Sequence, residues 1–432
     1  MTDPNFLIRV LPPRGGSRPL NHSLTYFNHV RLPPTALLGS NEKPTDQRAA
    51  FFSKIYRVAV GKIALSSLGM SSLQVASYIA ARYSLRRHVI DERGVLKPII
   101  SFQTQKKPIL TAVAQAFVLQ AMHGQTIAWF VDPALDPRVR HAIATVYKVA
   151  TIQTAQIANL TLGDRCGAQG LFEANQLSAM HVRGLPPTLA FACSHDVLRS
   201  LTCVGLLLPK GICLHSLFVG ISPNSSYLYS PCGRTIGLTS ELLLGRYAFE
   251  PPRYPDSLLA QHENGLFSEL RAALAGGSGH RSTTYDREIL PRSLSFVQAI
   301  GHRLSYDAAR AAAVDAPLLD LFEIVSVLQD EAWYVERLGM SRVKLQEREA
   351  DAVEAVFPHL EEYLARMDVA PYVVAPISSD KRWEEFVDSL ETFSETGREW
   401  GTGSVGTLLY GNDLSMQGQM RGPPHRSVRS ML

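Results

Sequence analysis

The chain is poor in the residues that staple small secreted proteins. It has five cysteines in 432 residues and no CxxC pair. That excludes a disulfide scaffold and argues for reduced thiols in an intracellular protein. Four of the five, Cys193, Cys203, Cys213 and Cys232, fall within forty residues, but none is paired at the tight spacing a zinc site needs, so no metal site is expected. Charge of one sign is also missing. The chain has 43 basic and 39 acidic side chains, for a net charge of +4, which gives no electrostatic case for a nucleic-acid partner. Met1 to Val10 lacks an apolar core after a basic start, so no secretory leader is expected. No unbroken apolar run of membrane-spanning length stands out. The nearest, Leu201–Gly220, is interrupted by Pro209-Lys210-Gly211. What is there is core: 46% of residues are hydrophobic and 19% charged, which excludes global disorder. Length alone suggests roughly three domains.

Two Pro pairs, Pro12-Pro13 and Pro33-Pro34, keep helix out of the first 44 residues, and Leu24–Val30 between them has strand composition. From Thr45 to Leu96 there is no proline. Apolar and small residues recur there at helical spacing, and the run ends on Arg82, Arg86 and Arg87, cations that suit a helix C-terminus. Further helices are predicted over 103–130, with Pro108 in the early turns, over 137–160 and over 172–180. Residues 275–279 read as a flexible linker. A second helical unit follows, with helices over 292–312, 316–339, 342–367 and 380–393. Asp315 and Ser341 are its candidate N-caps, and Pro358 is expected to kink or split the third helix. The residues from Thr396 on read as a mobile tail.

Three constellations could carry chemistry. Arg86-Arg87-His88, followed by Phe102-Gln103-Thr104-Gln105, sets arginines at one helix end beside amides at the start of the next. This suits an anion and a ring edge or ribose, and equally a polar helix cap. Gly163-Asp164-Arg165-Cys166-Gly167-Ala168-Gln169-Gly170 lets backbone approach a cofactor. It is neither a P-loop nor a strand-borne dinucleotide fingerprint, and it also fits a plain helix–helix turn. Ala192-Cys193-Ser194-His195-Asp196 puts four reactive residue types side by side, but triads are assembled from distant positions, so a hydrolase is disfavoured.

Taken in order, these segments resemble fungal acyl-CoA oxidases and, more broadly, the acyl-CoA dehydrogenase superfamily. Phe27-Asn28-His29-Val30-Arg31-Leu32-Pro33 is similar to the family's "F-x-x-V-R-[VIL]-P" strand. Tyr83–Arg87 with Phe102–Gln105 is similar to its "YxxxR…[FY]QTQ" element. Cys166–Gly170 is similar to its "CGGxG" turn, with Ala168 for the second Gly. Ala299–Arg303 and Val374–Ile377 look like its C-terminal helical domain.

The resemblance implies a mainly α fold: an acyl-CoA dehydrogenase-like helical bundle plus a second C-terminal helical domain, with a remnant of the middle β-domain at the N-terminus. The corresponding division is 1–44 for the β remnant, 45–262 for the FAD-binding-type bundle with an irregular apolar insertion near 201–247, 263–289 for a linker, 290–395 for the C-terminal domain and 396–432 for the tail. The family's N-terminal helical domain and most of its β-domain would precede residue 20.

The resemblance also implies FAD as cofactor, an acyl-CoA or related acyl thioester as substrate, α,β-dehydrogenation as the reaction, and a homo-oligomer (dimer or tetramer). A specialised fungal pathway is one setting for such an enzyme. Arg87 and Gln103 would bind FAD, usually a neighbouring subunit's. Asp164 and Gly167 would lie near the adenine, and Ser194 close to the flavin. The family's catalytic Glu falls on Ala192, which cannot take a proton. Loss of a positioned base costs about 10²–10⁴-fold. Residues 51–90 contain no Asp or Glu to replace it, which leaves His195 and Asp196 as weak substitutes. The alternative is a catalytically impaired pseudoenzyme or partner subunit that keeps the fold. Ser430-Met431-Leu432 approaches a peroxisomal address, so a peroxisomal or cytoplasmic location is expected.

Overall fold

A computed structural model describes residues 6–12, 22–37, 39, 42–47, 50, 57–135, 137–181, 253–275, 283, 287–288, 290–393 and 399–400. The candidate catalytic positions Ala192, His195 and Asp196, the flavin-side Ser194, the 201–247 stretch and most of the tail lie outside the described residues.

The fold is mainly α. Its first element is a β-ribbon, β1 (Phe6–Val10) with β2 (Ser23–Phe27), antiparallel, with Phe6 opposite Phe27 and Val10 opposite Ser23. The strand expected to reach Val30 stops at Phe27, because His29 adopts a left-handed backbone conformation (φ 54°) that a strand cannot carry.

Three long helices form the bundle: α1 (Arg57–Arg86), α2 (Gln103–Val131) and α3 (Pro137–Arg165), each packed on the other two. Small residues make close approach possible. Ala76, Ala80 and Ala81 of α1 and Ala112, Ala114 and Ala116 of α2 are all buried. Over Val60–Arg86, α1 is long and apolar enough to cross a bilayer, but 56% of its 18-residue apolar window is buried within the fold, as in the core helix of a globular bundle.

The helical run ends at Arg86, one of the arginines expected to close it. A hairpin follows, β3 (His88–Ile90) with β4 (Leu96–Pro98). Its turn is set by Asp91, whose Oδ1 accepts from the N–H groups of Arg93 and Val95, and by Gly94 at φ 74°. The short helix expected over 172–180 is instead a 3-10 turn (Glu173–Asn175) and a single helical turn (Leu177–Ala179). They meet at Gln176, whose positive φ (64°) interrupts helix.

Helix α4 (Leu258–Ala275) was not anticipated. Residues 263–275, read as the first part of a linker, are its body, with Glu263 and Leu270 buried. Then come α5 (Leu290–Ala311), α6 (Ala316–Leu328), α7 (Glu331–Leu338), α8 (Arg342–Val356), α9 (Leu360–Arg366) and α10 (Asp380–Asp388). The single helix expected over 316–339 is α6 and α7, broken at Gln329-Asp330. Pro358 splits α8 from α9 through a 3-10 turn, as its ring requires. Asp315 and Ser341 hold the N-cap positions of α6 and α8, but neither side chain caps; the Asp315 carboxylate goes to Arg366 instead. Beyond α10, Thr392–Phe393 (β5) pairs with Glu399–Trp400 (β6).

The C-terminal helices cover the bundle rather than standing apart. α5 packs on α2 and α3, α6 packs on α2, and one hydrophobic core runs through all of them. Gly301 of α5 sits against Ala150 and Val146 of α3, where a Cβ would lie 3.0 Å from that of Ala150.

Candidate cofactor site

The candidate binding residues come from three helix ends that the fold brings to one end of the bundle. Arg87 is the first residue after α1. Its N–H closes on the Tyr83 carbonyl (2.8 Å) and its carbonyl accepts from Ile99 (2.8 Å), so its backbone is fixed from both sides. Its guanidinium has no salt-bridge partner among the described residues, in contrast to Arg86, which pairs with Asp380 and lies over the Trp383 ring. Arg87 lies near enough to Tyr83 to oppose the rise that burial imposes on that phenol's pKa.

Gln103 opens α2. Its Nε2 is tied to Glu354 of α8, which also binds the nearly buried Lys106 at 2.8 and 3.0 Å. These bonds hold the Glu354 carboxyl below its ordinary pKa. The Gln103 amide is therefore committed within the chain, and ligand binding through it requires that bond to break.

Asp164 lies exposed on the last turn of α3. Cys166 is buried, and desolvation pushes its thiol up to about 12, so it is an inert core residue. Gly167 takes φ 58°, a conformation that favours glycine, and turns the chain into a 3-10 run over Gly167–Leu171. Gly170 packs on α3 so closely that a Cβ would lie 2.2 Å from the Gly163 carbonyl oxygen. The turn is anchored from below. Asn175 donates to the Gln169 carbonyl and side chain and accepts from the N–H of Ile377, and Gln176 accepts from the N–H groups of Val374 and Ala375.

Two residues that lie inside the quoted motifs, but were not among the candidate binding residues, join the three ends. Gln105 Nε2 donates to Ser84 Oγ (2.9 Å) on α1 and to the Arg165 carbonyl (2.8 Å) on α3. Arg165 returns a bond from Nη1 to the Thr104 carbonyl (3.1 Å). The signal for the second bond was in the sequence. Pro108 has no N–H to give to Thr104 four residues earlier, so that carbonyl is free for an outside donor.

The described residues fit the phosphate and adenosine half of FAD. Among the described residues, Arg87 carries a charge with no carboxylate paired to it and Arg165 Nε is buried without an acceptor, and Gly167 lines the turn with backbone alone. Among the described residues no group of His, Cys, Asp or Glu is placed to hold a metal ion.

No protein-family model matches the chain, and no curated protein matches it. Solved structures do. Acyl-CoA oxidase 1 of Arabidopsis thaliana aligns over 89% of this chain and 63% of its own, with 15% identity and a TM-score of 0.64. Acyl-CoA oxidase 1 of Yarrowia lipolytica aligns over 90% and 62%, with 14% identity and a TM-score of 0.66. Acyl-CoA oxidase 2 of Caenorhabditis elegans, solved with FAD, ascaroside-CoA and ATP, aligns over 84% and 58%, with 15% identity and a TM-score of 0.60. The chain thus spans about three fifths of the length of the oxidases it resembles. The likeness establishes an acyl-CoA oxidase-like helical fold.

Proposed function

We propose that this chain is the FAD-binding helical part of an acyl-CoA oxidase-type flavoprotein that acts on an acyl thioester. The observation that carries this reading is the meeting of Arg87, Asp164 and Gly167 at one end of an acyl-CoA oxidase-like bundle, with no carboxylate among the described residues paired to the Arg87 guanidinium. The C. elegans relative solved with FAD and an acyl-CoA derivative supports the choice of cofactor and substrate class.

Bound FAD would supply a hydride acceptor for the substrate's β-carbon and a route for electrons to O2. The chain's own contribution is binding. Arg87 would hold the pyrophosphate as a charge-assisted donor. The Gly167 turn would let backbone approach the adenosine, with Asp164 as an acceptor at its edge. Gln103 would join only by leaving Glu354.

The proton to be removed from the α-carbon needs a base, and Ala192 stands where the resemblance puts one. That favours a second reading, a flavin-binding subunit without proton abstraction. One experiment separates the two. The purified protein is reconstituted with FAD and mixed anaerobically with acyl-CoA thioesters of several chain lengths. Bleaching of the flavin band supports the oxidase. A yellow protein that no acyl-CoA bleaches supports the impaired subunit. Protein that takes up no flavin overturns both. Arg87→Met is expected to weaken FAD binding roughly tenfold or more, as loss of a charge-assisted bond worth about 1.5–3 kcal/mol requires.

A further inference from the structure

We infer that Gln105 is a positioning residue for the adenosine-diphosphate half of the cofactor, holding in register three helix ends that would otherwise close on the ligand independently. This rests on the FAD-binding reading above. The geometry is specific. One side-chain amide bridges α1 and α3 through its two N–H donors, to Ser84 Oγ at 2.9 Å and to the Arg165 carbonyl at 2.8 Å. Ser84 is fully buried and lies three residues before Arg87. Arg165 directly follows Asp164 and lies two residues before Gly167. Gln105 itself is two residues after Gln103. Every residue proposed for the phosphates and adenine is therefore within three residues of a member of this junction.

The junction is doubly closed. Arg165 Nη1 binds the Thr104 carbonyl at 3.1 Å, and that acceptor is open because Pro108 brings no N–H to it. A proline that costs α2 a helical hydrogen bond thus gives α3 its attachment. Only a side chain with two donors on one nitrogen makes both of the Gln105 bonds. Glu in its place has no donor for the Arg165 carbonyl, and Leu has none for either partner.

The test compares two ligands and two properties. Wild type, Gln105→Leu and Pro108→Ala are titrated with FAD and with riboflavin, which has neither phosphate nor adenine, and each protein is melted. Gln105→Leu is expected to weaken FAD binding roughly tenfold while riboflavin affinity holds within about twofold, because the loss falls on the adenosine-diphosphate contacts alone. Pro108→Ala restores an N–H that competes with Arg165 for the Thr104 carbonyl. Its melting temperature is expected to hold or rise while FAD affinity falls, a combination that a merely structural role for the junction does not produce. Pro108→Ala also carries the test if Gln105→Leu fails to fold. Equal losses for FAD and riboflavin, or unchanged FAD affinity in both variants, overturn the inference and leave the FAD reading standing. Wild-type protein that binds riboflavin no more weakly than FAD overturns it too. Wild-type protein that binds neither ligand overturns the reading and the inference together.

Discussion

Gly170 shows how tightly the turn after α3 is built. An added methyl would fall 2.2 Å from a backbone oxygen, so the turn and the helix must part to admit it. Gly170→Ala is expected to cost about 1–3 kcal/mol, read as a lowered denaturation midpoint without a change in slope. Cys166, four residues earlier, has a thiol raised to about 12 by burial. Peptide mapping after alkylation of native protein at mildly alkaline pH should find it unlabelled, and labelled only after denaturation. At this scale the sequence revealed residue types but not commitments. Gln103 was recognisable as an amide opening a helix. Its partner Glu354 lies 251 positions away, and no local pattern announces that. Arg165 and Gln105 were read only as members of their motifs for the same reason, although Pro108 marked the vacant Thr104 carbonyl that Arg165 takes.

Among the elements, the joint of α4 with α5 concentrates the buried charge. Arg303 is 1% exposed and is held by Glu263 of α4 at 2.6 Å and by Asp307 one turn along α5 at 3.2 Å. Asp307 Oδ2 also accepts from the Arg253 N–H, while burial raises the Asp307 pKa against the pull of Arg303. Arg303→Met leaves two buried carboxylates without their cation and is expected to cost about 3–5 kcal/mol in chemical denaturation.

Two histidines flank this joint. His262 hydrogen-bonds Asp330 (2.9 Å) and packs on Trp333 and Tyr334, and His302 meets the Phe322 ring edge-on. Burial lowers both pKa values, that of His302 to about 4. The unfolded chain then binds more protons than the folded one below the ordinary imidazole value. Stability should be full above about pH 6.5 and fall as pH drops from there toward 4. Melting temperatures at about pH 7 and about pH 5 check this, and His302→Phe should flatten the difference. The long bundle helices were legible within a few residues because their apolar period is sustained over many turns. The β3–β4 hairpin and α4 were not. The hairpin is set by one Asp and one Gly, and the sequence ahead of α4, broken by proline and glycine, offered no periodic lead.

For the molecule as a whole, charge stitches the C-terminal helices to the bundle along one seam: Arg82 to Glu361 (2.8 Å), Arg86 to Asp380, Lys106 to Glu354 (2.8 Å) and Lys107 to Glu349 (2.6 Å). Each pair has at least one water-exposed partner, so each contributes no more than about 1 kcal/mol and weakens with salt. Glu354→Ala removes the acceptor that holds the Gln103 amide and so releases it, which a modest gain in FAD affinity would report. Apolar packing carries the seam. Phe117 meets Tyr363 edge-on with centroids 5.7 Å apart, and Gly301 lets α5 settle on α3. Gly301→Val should therefore cost far more than any of the ion pairs, about 2–3 kcal/mol. The resemblance predicted two helical units, and both are present. It did not predict that they would share one core, because pairwise packing between distant helices leaves no mark on either one's own periodicity.

That shared core has a consequence in time. The helices that cover α2 and α3 begin at Leu290, while α3 ends at Arg165. At roughly 5–20 residues per second, a ribosome needs on the order of ten seconds to cross that interval. Until α5 is made, the α3 flank that includes Val146 and Ala150 lacks the Gly301 face it packs against. Nascent chains of this protein are expected to depend on a chaperone that shields this flank until the covering helices are made.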